Sequence, residues 1–161
     1  IGAYSIITAT ISVKKDIDSF VLNKKDIHFD AKKGEIKIGK YVHIGNHNII
    51  QGFGSIIIED YCVTSSGVKL YSQSNLPNWP SDLSIKTVSN SRAKHRVVPV
   101  ISRPIILREG AWLAINVLCF GGEIGSYTFV KSNSVILGNL NSNSIYSGNP
   151  IKFLQNRFNE I

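Results

Sequence analysis

Aliphatic side chains recur at every sixth residue along much of this chain. Ile38, Ile44, Ile50 and Ile56 form one run, and Gly39 and Gly45 directly follow two of its members. A two-residue shift opens a second run at Ile58, Thr64 and Leu70, and a third passes through Leu107, Leu113 and Cys119. After a one-residue contraction the rhythm resumes at Ile124, Val130 and Ile136. The opening residues Ile1, Ile7 and Val13 obey it as well, with Gly2 again in second place. A period of six fits neither the roughly 3.6 residues of a helix turn nor the alternation of an isolated strand. It suits a coil whose short flat sides each turn one residue inward. Three sides make a triangular rung, and inward aliphatics from successive rungs stack into one core, with small residues such as Gly39, Gly45 and Gly125 expected at the tight corners. A sandwich of ordinary short strands would explain one spaced run but not several independent ones. The expected class is all-β, a parallel β-helix forming a single domain over residues 1–161.

Two segments break the rhythm. Between residues 72 and 104 the chain turns polar and carries Pro77, Pro80, Pro99 and Pro104, together with Trp79 and the basic cluster Arg92, Lys94, His95 and Arg96. This reads as a projecting loop, and loops of such length more often serve a site than merely connect elements. Near the C-terminus Gly148, Asn149 and Pro150 precede Ile151, Leu154 and Phe158, which share one helical face. A short helix over about 150–159 is therefore predicted, capped by Asn149 and covering the core.

Composition narrows the functional classes. The chain has 161 residues, 43% of them apolar and only 18% charged, which favours stacked strands over a charged helical bundle. Its 18 basic and 11 acidic residues leave a net charge of +7, suited to a phosphorylated ligand. Nucleic acid is disfavoured because the basic residues are scattered and no aromatic platform accompanies them. Cys62 and Cys119 lie inside apolar runs, as buried thiols of a reducing compartment do, so a cytoplasmic location is expected. No apolar run reaches the roughly 18 residues of a membrane span, and no basic, apolar leader begins the chain. With no methionine anywhere, Ile1 is not taken as the biological start.

Three stretches and a closing motif carry a family resemblance: Ile38 to Asn48 (IGKYVHIGNHN), Ile56 to Ser72 (IIIEDYCVTSSGVKLYS), Glu109 to Gly125 (EGAWLAINVLCFGGEIG), and the tail Tyr146 to Leu154 (YSGNPIKFL). The chain resembles the hexapeptide-repeat acetyltransferases, which include the galactoside and maltose enzymes and many sugar-modifying enzymes of bacterial surface polysaccharides. The resemblance implies a left-handed β-helix, a homotrimer with sites between neighbouring coils, acetyl-CoA as donor, and a sugar or nucleotide-sugar acceptor, with no metal. The left hand comes from the resemblance alone, since parallel crossovers are otherwise right-handed.

Acetyl transfer needs a base to take the acceptor's proton, and histidine is the usual one. Alignment by the inward aliphatics puts the family's catalytic histidine at Asn75, an amide that can hydrogen-bond a hydroxyl or an oxyanion but cannot accept a proton at neutral pH. Of His28, His43, His47 and His95, His43 is the expected base, because its coil corresponds to one that lines the family's acceptor pocket. By the same resemblance, backbone amides at Ala114, Ile115, Ser132 and Asn133 would hold the pantetheine arm, and Lys152 would meet the CoA phosphates, with Arg157 a weaker second candidate. The family's Thr-Lys pair is replaced here by Leu137 and Gly138, which removes one phosphate contact. Trp112 sits where the family often carries an aromatic.

O-acetylation of a sugar or surface glycan leads these readings, with N-acetylation of a nucleotide-linked amino sugar beside it. A carbonic anhydrase of the gamma type would need three histidines around zinc, of which His43 and His47 supply two. A non-catalytic β-helix scaffold is the remaining class.

Overall fold

The computed structural model describes residues 1–9, 34–75, 84 and 100–159. Within them the chain winds as a triangular parallel coil. One flat side stacks β1 (Ile6–Thr8), β4 (Ile49–Gln51), β7 (Lys69–Tyr71), β12 (Leu118–Cys119) and β15 (Val135–Ile136). A second stacks β2 (Ile36–Ile38), β5 (Ile56–Ile58), β10 (Ile105–Leu107) and β13 (Gly122–Ile124). The third stacks β3 (His43–Ile44), β6 (Val63–Thr64), β11 (Trp112–Leu113), β14 (Phe129–Val130) and β16 (Ser144–Ser147), and β17 (Lys152–Asn156) closes its edge. In chain order these are the first, second and third sheets.

The six-residue rhythm is the inward register of these sheets. Ile44, Thr64, Leu113, Val130 and Tyr146 stand in one column, and Ile50, Leu70, Cys119 and Ile136 in another. Nearly all are fully buried in a single apolar cluster. The shift between Ile56 and Ile58 is no slip of register. Both lie on β5 and both point inward, because a three-residue strand offers two inward positions. Ile1, Ile7 and Ile38 obey the spacing yet are 82%, 37% and 41% exposed, since they belong to the first coils, where among the described residues the stack has a neighbour on one side only. Val13 lies outside the described residues.

The glycines act differently from the expectation. The corners pass through the left-handed region at Tyr4, Tyr41, His47, Tyr61, Asn116, Tyr127 and Asn133, each with φ between 56° and 60°, and at Gly67 and Gly110, with φ of 75° and 67°, but not at Gly39, Gly45 or Gly125. Gly45 and Gly125 instead permit close approach of one coil to the next. A Cβ on Gly45 would sit 2.8 Å from backbone atoms of Ser65 and Ser66, and one on Gly125 would sit 2.3 Å from the amide nitrogen of Ser142.

The predicted C-terminal helix is absent. Residues Lys152–Asn156 form β17, antiparallel to β16, with Phe153 packed edge-on against Tyr146 at 5.7 Å. A helix of ten residues is marginal by itself. Strand β16, the last of its sheet's coil strands, offers a row of unpaired backbone groups, and pairing with them outweighs local helical periodicity. The predicted loop has a built stem: β8 (Gln73–Asn75) pairs antiparallel with β9 (Val100–Ser102). Pro77, Trp79, Pro80, Arg92, Lys94, His95, Arg96 and Pro99 lie outside the described residues.

Candidate active site

The outer face of the third sheet carries a row of side chains in register: His43, Val63, Trp112, Phe129 and Ile145. They face outward because their strand neighbours Ile44, Thr64, Leu113, Val130 and Tyr146 fill the core. His43 sits at the open end of this row on the edge strand β3, exposed, with its backbone N–H bonded to the carbonyl of Cys62 at 2.9 Å. Its imidazole borders a cleft of about 340 Å³ lined also by Ile1, Gly2, Val42, Asn46 and Ser66. No protein group among the described residues bonds to the ring, so both nitrogens are available to a ligand.

Trp112, two strands along, donates its indole N–H to Ser65 Oγ at 3.1 Å and meets Phe129 edge-on at 4.9 Å. Arg157 lies 5.9 Å over the Trp112 ring, and its guanidinium donates to the carbonyl of Tyr127 at 3.0 Å. That bond turns Arg157 toward the corner between the second and third sheets.

The opposite corner, between the third and first sheets, stacks four turns: Asn46–His47, Ser66–Gly67, Ile115–Asn116 and Ser132–Asn133. Each second residue donates its N–H to the preceding turn: Gly67 to Asn46 at 2.9 Å, Asn116 to Ser66 at 3.1 Å, and Asn133 to Ile115 at 3.0 Å. Of the four amides named from sequence, two are thereby committed. Ala114 N–H donates to Val130 at 2.9 Å and Asn133 N–H to Ile115, whereas Ile115 and Ser132 have no acceptor among the described residues. Both stand exposed at the corner, one coil apart.

His47 occupies the first of these turns and stacks on Tyr4, ring centroids 5.3 Å apart. Lys152 is exposed on β17, at the far end of the third sheet from His43. The order β3-β6-β11-β14-β16-β17 makes five steps between them. At the usual strand spacing of about 4.8 Å, that is about 24 Å. Asn75 lies elsewhere, on β8 of the hairpin, opposite Val100. His28 and His95 are outside the described residues.

Charge is segregated around the coil. Among the described residues the side-chain carboxylates are Glu35, where the chain enters the second sheet, and Glu59, Asp60, Glu109 and Glu123, on the second sheet or at its corner with the third. There Arg108 donates to Glu59 at 2.7 Å and to Glu123 at 2.8 Å, and both carboxylates hold its guanidinium protonated well above its ordinary range. Tyr127 donates to Glu109 at 2.5 Å, which raises the phenol's pKa. The corner with the free amides carries no carboxylate among the described residues, so an anionic ligand meets no repulsion there.

The two cysteines are buried and unpaired. Burial pushes the Cys62 thiol up to about 11 and the Cys119 thiol up to about 12. Among the described residues no three His, Cys, Asp or Glu side chains are grouped to hold a metal, and no helix is long and apolar enough to cross a membrane.

Two residues of this surface were not candidates from the sequence: Ser65, whose hydroxyl is defined by the indole it meets, and Lys131, which stands exposed beside Ser132. The six-residue register could have placed Lys131 directly after the inward Val130, facing out.

No family model matches the sequence, and no curated protein matches it. Solved structures do. The chain is similar to AntD, an N-acyltransferase from Bacillus cereus in complex with dTDP and 3-hydroxybutyryl-CoA, with a TM-score of 0.67 at 21% identity over 77% of this chain and 64% of that one. It is similar to VCA0836, a hexapeptide-repeat acetyltransferase from Vibrio cholerae complexed with acetyl coenzyme A, with a TM-score of 0.61 at 21% identity over 77% and 61% of the two chains. It is also similar to a maltose O-acetyltransferase from Clostridium difficile 630, with a TM-score of 0.60 at 17% identity over 77% and 60%. The chain spans less than two thirds of the length of these three structures. Its fold is the left-handed hexapeptide-repeat β-helix that these acyltransferases share.

Proposed function

We propose that this chain is an acetyl-CoA-dependent acetyltransferase acting on a hydroxyl of a sugar or surface glycan. One observation carries the reading. Among the described residues the third–first corner carries no carboxylate and presents unused amides at Ile115 and Ser132, between a histidine cleft at one end and a basic end at the other. That is the order an acyl-CoA demands: reactive thioester, amide-bearing arm, phosphates. Ile115 and Ser132 hold the arm through backbone N–H groups, Ala114 and Asn133 shape the turns with N–H groups committed to neighbouring coils, and Lys152 neutralises phosphate.

His43 takes the acceptor's proton as the acceptor oxygen bonds to the acetyl carbon. The carbon–sulfur bond breaks, and the proton passes to the departing thiolate. Asn75 belongs to the hairpin and not to the third sheet, so a neighbouring copy brings it to His43. This requires the homotrimer, for which the outward-facing apolar row Val63, Trp112, Phe129 and Ile145, half-buried except for the exposed Trp112, is the natural contact face. A cytoplasmic location fits the two free thiols. N-acylation of a nucleotide-linked amino sugar is the second reading, favoured by the likeness to an N-acyltransferase bound to dTDP.

The test is incubation with acetyl-CoA and a panel of glycans and nucleotide amino sugars, following free CoA and acetylated product. His43→Ala is expected to slow transfer by about 10²- to 10⁴-fold with CoA binding intact, while His47→Ala stays near the parent rate. Mixed oligomers of His43→Ala and Asn75→Ala regain activity if the residues meet across copies. Transfer by His43→Ala at the parent rate would remove it as the base.

A further inference from the structure

Lys131 follows Val130 on β14, and its backbone N–H donates to the carbonyl of Tyr146 on β16 at 2.9 Å. Since Val130 pairs with Tyr146, Lys131 lies beside Ser147, and Ser147 in turn pairs with Lys152 on β17. Residues paired across neighbouring strands share a face. Tyr146 points into the core, so Ser147, Lys131 and Lys152 all face outward. The two lysines thus flank one hydroxyl, with two strand spacings, or about 10 Å, between their backbones. Both are exposed, and neither ammonium has an acidic partner among the described residues. The next residue after Lys131 is Ser132, whose N–H has no acceptor there and stands at the same corner.

We infer that Lys131, Ser147 and Lys152 form a phosphate-binding site, with the Ser132 N–H as a further donor, for the phosphates of the acyl carrier. The inference rests on the acyl-CoA reading above and makes Lys131 its new element. Leu137 and Gly138 bring no cationic side chain of their own to the following side of the coil, where the Arg103 guanidinium donates to the Leu137 carbonyl at 3.4 Å, and Lys131 supplies an ammonium on the side before it. Two flexible ammoniums on either side of a hydroxyl match a tetrahedral anion, which takes donors from several directions. The site lies four strands from His43 by way of β6, β11 and β14, so phosphates bound here leave the pantetheine arm to run past Ser132 and Ile115 toward the histidine cleft.

Calorimetric titration of the full chain with coenzyme A, with pantetheine and with a nucleoside diphosphate tests this. Lys131→Ala is expected to weaken coenzyme A by about tenfold, the worth of one charge-assisted hydrogen bond. Pantetheine, which lacks the phosphates, should bind the variant as it binds the parent, and Lys131→Arg should restore most of the affinity for coenzyme A. Unchanged coenzyme A affinity in Lys131→Ala would overturn the inference. So would a loss seen with the nucleoside diphosphate alone, which would assign the lysine to the acceptor. A parent chain that binds no coenzyme A would overturn the acyltransferase reading itself.

Discussion

The indole of Trp112 is tied to the hydroxyl of Ser65 in the neighbouring coil, Nε1 donating to Oγ at 3.1 Å. The bond joins β11 to the turn that follows β6, and so couples the outer face bearing His43 to the corner bearing the free amides. An indole held in this way cannot swing over the face.

Ser65→Ala should therefore cost about 1 kcal/mol of stability, as loss of one neutral hydrogen bond does. Trp112→Phe, which keeps a ring but no donor, should cost a similar amount, and the double variant less than the sum. Urea denaturation of the four proteins in a double-mutant cycle measures this. Strict additivity would mean that the bond contributes nothing.

Gly45 and Gly138 make a matched pair. A Cβ on Gly45 meets backbone of Ser65 and Ser66 at 2.8 Å, while one on Gly138 meets nothing within 4 Å. Gly45→Ala should destabilise the coil by about 1–3 kcal/mol through forced separation of two rungs. Gly138→Ala should be neutral or slightly stabilising. Thermal melts of the two variants decide, and equal melting temperatures would refute the close-approach account.

The Tyr127–Glu109 hydrogen bond predicts an alkaline effect with a definite sign. The bond to Glu109, with its charge, raises the phenol above its ordinary value of 10.0 in the folded state. Its contribution is complete below that value and is lost as pH rises through the higher folded value. Ultraviolet titration should show Tyr127 ionising late, and Glu109→Gln should move it back toward its ordinary value of 10.0. A titration that Glu109→Gln leaves unchanged would exclude the carboxylate as the cause.

Much of the fold was legible because a β-helix writes its register locally. Every rung repeats the same demand for one inward aliphatic, so Leu107, Leu113 and Cys119 announce their burial without knowledge of their neighbours. The candidate site was legible only in part. That Ile115 and Ser132 keep free amides while Ala114 and Asn133 do not depends on which carbonyl the adjacent coil offers, and no spacing records that.

The same division holds at the end of the chain. Ile151, Leu154 and Phe158 fit a helix by periodicity, yet the open edge of β16 draws Lys152–Asn156 into a strand. The amino-acid sequence by itself determined the six-residue coil, its buried columns and the place of its interruptions, since each depends on side-chain polarity and size within a few residues. Tertiary structure alone decided the tail, the roles of Gly45 and His47, the segregation of carboxylates from the free amides, and the pairing of Lys131 with Lys152 across Ser147. Those properties arise when strands far apart in the chain stack about 4.8 Å from one another.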